Sequence, residues 1–134
     1  MSDKKKYCLP DGKTIEMTSE QYEAPEILFN TAIIGRDGDG LQHLIKNTLE
    51  KCELDSRRVL AQNVILTGGT TMFKGFSDRL NAEFDKINTT GLRLSFVEKP
   101  YRRYSSWIGA SVLASLSSFQ PKWITLEEYQ EHGI

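Results

Sequence analysis

The sequence predicts an α/β fold, and three local patterns indicate it. First, the apolar run Val64–Leu66 is typical of a short buried strand, and two glycines follow it soon afterwards. Second, a helical stripe of apolar residues comes next, formed by Phe76, Leu80, Phe84 and Ile87. Third, apolar and polar residues alternate over Leu92–Phe96, which favours a half-buried strand. A helix that joins two strands is the connection typical of α/β folds.

Composition places the chain among soluble globular domains. Its 134 residues are 39% hydrophobic and 26% charged, which allows one domain with a core of its own. A net charge of −1 gives no electrostatic reason to expect nucleic acid or a membrane as a partner. Cys8 and Cys52 are too few for a disulfide framework, and no apolar run suits a membrane span or a signal peptide. These features predict a cytoplasmic protein.

The N-terminal part begins with a predicted hairpin. Tyr7–Leu9 and Lys13–Met17 flank the turn Pro10–Gly12, in which proline presets φ and glycine accepts a positive φ. Pro25 is expected to begin a further helical turn, because its missing N–H costs nothing at the first helical position.

The next segment predicts a helix over about Leu41–Cys52. Its apolar residues recur at helical spacing, which assigns Gln42 and His43 to the solvent-exposed face. The preceding loop, Asp37–Gly40, is similar to a calcium-binding loop only superficially, because the later oxygen ligands and the closing glutamate are missing. We therefore expect no metal site in this chain.

Two helices are predicted in the C-terminal part. Ser105 or Ser106 is expected to cap a helix that runs to about Leu116 and mixes small residues with large apolar ones. Thr125 and Glu128 stand at the spacing of a capping box, which predicts a short final helix.

The segment that joins the first predicted strand to the central helix, expected over about Gly75–Ile87, carries the clearest chemical signal. Gly68 and Gly69 permit a sharp turn, and Thr70 and Thr71 add hydroxyl groups. Such a turn can place backbone N–H groups near a bound phosphate or sugar. The segment lacks the P-loop, the dinucleotide fingerprint and the nucleophile elbow, so a tight connection without a ligand stays open as the alternative.

Three stretches of sequence point to a known family. Leu66–Phe76, followed by Asp78–Leu80, closely resembles the nucleotide-cleft segment of actin and the actin-related proteins. Tyr104–Leu116 resembles a later segment of the same family, and Leu9–Gly12 with Pro25–Phe29 resembles an earlier one. The order and the spacing are nearly those of the family. The resemblance covers almost the whole chain and corresponds to the C-terminal part of an actin.

This resemblance implies a partial actin-like fold, of the α/β class that actin shares with the heat-shock chaperone ATPases and the sugar kinases. It implies one domain over residues 1–134. Within it, residues 1–29 would be the hairpin and peptide of the pointed-end subdomain, and residues 30–103 the large inner subdomain with the Gly-Gly-Thr turn. Residues 104–134 would supply the C-terminal helices of the barbed-end subdomain.

The resemblance also implies a nucleotide-binding surface. In actin the turn lies against the ribose and the α-phosphate, and the residues after it border the adenine. The implied contact residues are Gly68, Gly69, Thr70, Met72, Phe73 and Arg103. Phe73 stands where actin has tyrosine, and Arg103 stands where actin has lysine. From the residues alone, Met72 and Phe73 are equally compatible with ordinary core packing.

The parts of actin that perform catalysis have no counterpart in this sequence. In the family the phosphate-clamping hairpins, the magnesium-holding aspartates and the water-positioning glutamine and histidine all lie in the N-terminal part. Phosphoryl transfer depends on such positioning groups. We therefore expect no catalytic residue, and ATP or ADP binding that is weak or absent in the isolated chain.

Three functional classes are compatible with these observations. The chain is expected to be a truncated actin-like cytoskeletal protein that acts as a protein-interaction or structural module, without ATPase activity alone. It could instead be half of an ATPase that another chain completes, or an expressed fragment of a full-length actin-related protein. The start Met1–Asp3 weakly favours a short gene product. The expected partners are actin or an actin-like protein, actin-binding proteins, or a second copy of the chain.

The late helix is the expected partner-binding surface. Ile108, Val112 and Leu116 recur at helical spacing on one face, with Leu113 beside them. In actin the corresponding helix lines a hydrophobic groove at the barbed end, where regulators insert an amphipathic helix. The alternative is that these side chains form the core of this domain. Loss of the rest of an actin would expose apolar surface, so we also expect self-association.

Overall fold

The computed structural model describes residues 4–133 and shows mixed helix and strand content, as expected for an α/β fold. The elements within this range, in chain order, are β1 Lys5–Cys8, β2 Thr14–Met17, α1 Glu20–Glu26, α2 Leu41–Lys51, α3 Leu54–Ala61, β3 Val64–Ile65, α4 Phe76–Ile87, β4 Phe96–Val97, α5 Ser105–Ala114 and α6 Leu126–His132. The chain divides into two compact units. Unit 1 contains residues 4–64 and 77–95, and unit 2 contains residues 65–76 and 96–133.

The predicted hairpin is confirmed at the start of unit 1. Strand β1 pairs with β2 in antiparallel register, with Tyr7 opposite Ile15. Gly12 has φ +82° and donates its N–H to the carbonyl of Leu9 at 2.9 Å. This conformation is one that glycine adopts with little cost, so the local turn chemistry decides the hairpin.

The core of unit 1 forms around α4. Leu80 and Phe84 are 2% and 1% exposed, as the helical stripe of the sequence predicted. Further buried apolar side chains in this unit are Phe29, Leu49, Ala61 and Leu94. Burying one large apolar side chain contributes about 1.5–3 kcal/mol, so α4 supplies a large share of the hydrophobic stabilisation of unit 1.

The strands that flank α4 are shorter than the sequence predicted. The N–H of Val64 donates to Ser95 O at 3.0 Å, and that of Leu66 donates to Val97 O at 3.2 Å. The residue numbers rise together along both strands, so β3 and β4 are parallel, as a helical crossover requires. The strand predicted over Leu92–Phe96 lies too early in the sequence, since β4 comprises Phe96–Val97. A strand can form only where its backbone pairs with a neighbour, and the neighbour here is β3.

Two local expectations, for Pro25 and for Gln42, were wrong. Pro25 lies inside α1, one residue before its end, and does not begin a new turn. Gln42 is 5% exposed, although helical spacing assigned it to the solvent-exposed face. Its Nε2 donates to the carbonyl of Phe29 at 2.9 Å, and the N–H of Leu41 donates to Leu28 O at 2.9 Å. The chain leaving α1 therefore covers the start of α2.

An ion network connects α1 with α4 inside unit 1. The Arg79 guanidinium binds the carboxylates of Glu26 and Glu83, and its Cζ lies 5.2 Å from the ring centre of Phe29. The hydrogen bond with Glu26 raises the pKa of Arg79. The hydrogen bond with Lys86, at 2.6 Å, is the main cause that lowers the pKa of Glu83. Part of the polar face of α4 is thus engaged in contacts with α1.

The C-terminal part of unit 2 ends as the sequence predicted. The hydroxyl of Thr125 accepts the N–H of Glu128, whose carboxylate accepts the N–H of Thr125, so the capping box of α6 is complete. Gly133 follows the helix with φ +72°. Before α6, the rings of Phe119 and Trp123 meet edge to face, with centroids 5.2 Å apart.

We predict that Gly40→Ala destabilises unit 1. A Cβ atom at this position would lie 2.2 Å from the carbonyl oxygen of Phe29, which is a backbone atom and cannot move away cheaply. Overpacking of this kind costs about 1–3 kcal/mol. Urea unfolding followed by circular dichroism measures the change in the free energy of unfolding.

Gly38→Ala is the matched control for this substitution. Its added Cβ atom would meet the Thr31 side chain at an ordinary 3.6 Å, so we expect a change close to zero or slightly stabilising. Equal destabilisation by the two substitutions would contradict the proposed contact between Gly40 and Phe29.

Candidate functional site

The Gly-Gly-Thr turn lies in unit 2 and begins at a residue that has to be glycine. Gly68 has φ +91° and ψ 159°, a conformation that side chains with a Cβ atom rarely adopt. Its N–H donates to the carbonyl of Arg102 at 2.9 Å. Residues Gly69–Met72 then form a 3-10 turn, in which the Thr71 hydroxyl donates to Gly68 O at 2.9 Å. The turn is therefore closed by hydrogen bonds of its own and tied to the segment before α5.

Arg102 holds this turn in place. Its Nη2 donates to the carbonyl of Thr71 at 2.7 Å, and its Nε donates to the Thr71 hydroxyl at 3.1 Å. The carboxylate of Glu98 lies 3.7 Å from the same Nη2, and the Arg102 side chain is 12% exposed. Sequence reasoning missed this role, because no local pattern pairs Arg102 with a threonine 31 residues earlier.

Three hydroxyl groups connect the end of β3 with the start of α5. Thr67 Oγ1 lies 2.6 Å from Ser105 Oγ and 3.1 Å from Ser106 Oγ, and Ser105 Oγ donates to Arg102 O at 3.0 Å. The expectation that a serine caps α5 was wrong. Tyr104 occupies the N-cap position without a side-chain cap bond, because the two serine hydroxyls are engaged by Thr67.

Arg103 lies over the turn at its second glycine. A Cβ atom added to Gly69 would stand 3.6 Å from Arg103 Nε and 3.8 Å from its Cγ. The Arg103 Cζ also lies 5.8 Å from the ring centre of Tyr104. Because Gly69 has no side chain, the guanidinium of Arg103 can approach the backbone of the turn closely.

The two apolar residues after the turn are solvent-exposed. The exposed fraction is 41% for Met72 and 47% for Phe73. This exposure argues against the alternative that both residues are ordinary core. They stand beside the turn as accessible apolar surface, which is what a flat aromatic ligand would require.

The turn has donors that suit a phosphate or sugar oxygen. The N–H groups of Gly69 and Thr70 begin the 3-10 turn, and neither donates to an acceptor among the described residues 4–133. Together with the Arg103 guanidinium they offer hydrogen bonds from one side only. Within the same range, no group of three or more His, Cys, Asp and Glu side chains could hold a metal ion. The N–H and guanidinium donors are of the kind that phosphate and sugar oxygens accept hydrogen bonds from.

A second surface of unit 2 is formed by α5 and by Leu116, which lies two residues beyond the end of the helix at Ala114 and not on the helix as predicted. We call it the α5 surface, and its large apolar side chains are Trp107, Ile108, Val112, Leu113 and Leu116. Their exposed fractions run from 39% for Ile108 to 74% for Trp107. The sequence from Ser105 to Gln120 contains no charged residue. Along α5 the apolar residues are spread around the whole circumference, a pattern typical of a helix that is enclosed on several sides.

The two units differ in how much apolar surface they bury. Among the described residues of unit 2, the buried large apolar side chains are Leu66 and Phe76, whereas unit 1 buries a full cluster around α4. Unit 2 therefore has a smaller buried core than unit 1 among the described residues. In the described range, no helix combines the length and the apolar character that crossing a membrane requires.

Comparison with protein families identifies the family to which this chain is similar. The protein-family model described as Actin matches residues 1–134, which is the whole chain.

We predict that Arg102→Ala loosens the Gly-Gly-Thr turn. The substitution removes the two hydrogen bonds that a charged group makes to the turn, each worth about 1.5–3 kcal/mol in a partly buried site. Amide hydrogen exchange of residues 69–73 should accelerate, and the midpoint of chemical unfolding followed by tryptophan fluorescence should fall. Arg103→Ala is the matched control, because that side chain is exposed and makes no hydrogen bond to the turn. Equal effects of the two substitutions would contradict the assigned role of Arg102.

Proposed function

Because the chain belongs to the actin family, we propose that it is an actin-like protein-interaction module of the cytoskeleton. The three sequence matches support its correspondence to the C-terminal part of an actin, with the hairpin in residues 1–29 and the Gly-Gly-Thr turn in residues 30–103. The C-terminal helices, in residues 104–134, carry the binding surface. The partners are an actin-like chain, a second copy of this chain, or an actin-binding protein.

The observation that carries this proposal is the exposure of the α5 surface. Ile108, Val112, Leu113 and Leu116 are the residues proposed to contact the partner, and each is at least 39% exposed. Full burial of such a side chain from water contributes about 1.5–3 kcal/mol, and covering the exposed part of these four side chains would contribute a fraction of that each. The lack of charge between Ser105 and Gln120 removes the desolvation cost that charged groups would add.

The composition of α5 distinguishes between the kinds of partner. A single amphipathic helix inserted along one side would cover only part of a helix that is apolar all round. A folded partner that encloses α5 from several sides matches this pattern better. We therefore favour an actin-like chain or a second copy over a single inserted helix.

We propose that the isolated chain is not an ATPase. Gly69 and Thr70 would donate their N–H groups to a phosphate or ribose oxygen, and Arg103 would face the base or the phosphates. Met72 and Phe73 would lie against the base, and the Gly68 N–H is already bonded to Arg102. ATP, when bound, would supply the phosphoryl group, but the turn has no group that positions an attacking water.

A second candidate function is half of an ATPase that another chain completes. The free N–H groups of Gly69 and Thr70 and the position of Arg103 over the turn favour it. A third candidate is that the chain is part of a full-length actin-related protein. The coding sequence on either side of it would test this candidate.

We predict weak binding of ATP by the isolated chain, with Kd on the order of millimolar or weaker. Compared with a complete cleft it lacks several charge-assisted hydrogen bonds, each worth about 1.5–3 kcal/mol. Isothermal titration with ATP and magnesium measures the affinity, and Arg103→Ala should weaken any binding that remains. Sub-micromolar affinity, or magnesium-dependent hydrolysis by the isolated chain, would overturn this part of the proposal.

We predict that Val112→Asp abolishes association through the α5 surface. In the complex, the substitution would bury an aspartate in place of an apolar side chain, so the affinity for the partner should fall by at least about tenfold. Sedimentation equilibrium of the chain alone tests self-association, and sedimentation with purified actin tests binding to an actin-like partner. Circular dichroism should stay unchanged, because Val112 is 58% exposed.

Val59→Asp is the matched control for this experiment. Val59 lies on the exposed side of α3 in unit 1, with an exposed fraction of 61%, so the same substitution there should leave association intact. If Val112→Asp unfolds the chain instead, the α5 surface belongs to a core and the assignment of a binding surface is wrong.

A further inference from the structure

The sequence contains three Asp-Gly dipeptides, at residues 11–12, 37–38 and 39–40. Asp-Gly is the sequence in which an aspartate most readily cyclises, because glycine has no side chain to hinder its backbone nitrogen. The reaction requires a carboxyl group that is free to turn back and a following N–H that is not held elsewhere. The three dipeptides differ in how far their contacts restrain the carboxyl group and the following backbone.

In the first dipeptide, both the Asp11 carboxylate and the Gly12 N–H are restrained. Asp11 Oδ1 accepts the N–H of Lys13 at 3.0 Å, and Asp11 Oδ2 lies 3.4 Å from Lys13 Nζ. The N–H of Gly12 donates to Leu9 O at 2.9 Å inside the hairpin turn. Cyclisation would have to break these contacts together.

The third dipeptide is also restrained. Asp39 Oδ2 accepts a hydrogen bond from Asn47 Nδ2 at 3.1 Å. Gly40 is buried, and a Cβ atom there would lie 2.2 Å from the carbonyl oxygen of Phe29. The Asp39 carboxylate would therefore have to leave Asn47, and the packed backbone at Gly40 would have to shift against Phe29, before a ring could form.

The second dipeptide has neither restraint. Asp37 is exposed, and no described residue forms a hydrogen bond or an ion pair with its carboxylate. The N–H of Gly38 likewise has no acceptor in the described range, and residues 36–40 form no helix or strand. The segment is held at Gly38 by its carbonyl oxygen, which accepts the Thr31 hydroxyl at 2.6 Å.

We propose that Asp37–Gly38 is a site of spontaneous isoaspartate formation. The backbone nitrogen of Gly38 attacks the Cγ atom of the Asp37 carboxyl group, a C–N bond forms, and one water leaves with the proton of the nitrogen. Water then opens the resulting succinimide ring at one of its two carbonyl carbons. Opening at the former backbone carbonyl leaves the main chain running through the side-chain carbon, which is isoaspartate, and no oxidant or reductant is needed.

The modification lengthens the backbone by one methylene group just before α2. It displaces the Gly38 carbonyl from the Thr31 hydroxyl and changes how the chain enters Gly40. Gly40 and Gln42 are packed against the carbonyl of Phe29, so the inserted atom acts next to this packed segment of unit 1.

The test measures isoaspartate in the folded chain after incubation at neutral pH. Isoaspartyl methyltransferase with labelled S-adenosylmethionine is the probe, and fragmentation mass spectrometry assigns the labelled residue. We expect Asp37 to be labelled at least about tenfold faster than Asp11 or Asp39, because each restraint that must break adds to the barrier. Asp37→Glu should remove most of the label, whereas Asp11→Glu and Asp39→Glu should leave it unchanged.

The same incubation in urea separates the fold from the sequence. Without the native contacts, the three dipeptides should react at rates close to one another. Folded chain labelled mainly at Asp11 or Asp39 would overturn the proposal, and so would a folded chain in which the three ratios equal those measured in urea.

Discussion

Burial of Leu80 and Phe84 is the constraint on which unit 1 depends. The two side chains lie one helical turn apart on α4, so their burial fixes which face of α4 points inward. Arg79, next to Leu80 in sequence, lies at the side of this buried face, where it binds Glu26 and lies against Phe29. Phe29 in turn accepts the hydrogen bond of Gln42. The buried apolar core of unit 1 and the polar contacts of Arg79 and Gln42 at the edge of that core thus position α1 and α2.

Unit 2 is organised differently, by polar contacts around one arginine. Arg102 binds the backbone and the hydroxyl of Thr71, and its own carbonyl accepts bonds from Gly68 and Ser105. These contacts give the Gly-Gly-Thr turn a defined geometry although few apolar side chains are buried around it. A turn that is fixed beforehand loses less conformational entropy when it binds a ligand.

The two halves of the proposed function rest on different physical properties of unit 2. The turn offers directional donors, which suit a polar ligand but bind weakly from one side. The α5 surface offers apolar area without directional groups, which would favour association but add little specificity of its own. Membership of the actin family makes an actin-like chain or an actin-binding protein the kind of partner that the proposal names. Specificity for one partner would then come from the polar residues at the edge of the α5 surface.

The sequence by itself determined the features that depend on neighbours a few residues apart. The hairpin at Gly12, the apolar stripe of α4 and the capping box of Thr125 with Glu128 are all local, and the structure has each of them. The Gly-Gly-Thr turn was found in the same way. It was located from its glycines, and the family it indicated is the one that matches the whole chain.

Only the tertiary structure decided the features that depend on partners distant in sequence. Helical spacing placed Gln42 in solvent, but the chain leaving α1 covers it, and periodicity carries no information about such a neighbour. The same reason hid Arg102, whose partner Thr71 lies 31 residues away. The exposure of the α5 side chains also depends on parts of the molecule that are distant in sequence. Its residues are as apolar as a core helix, and which of them are covered depends on what packs beside them in three dimensions.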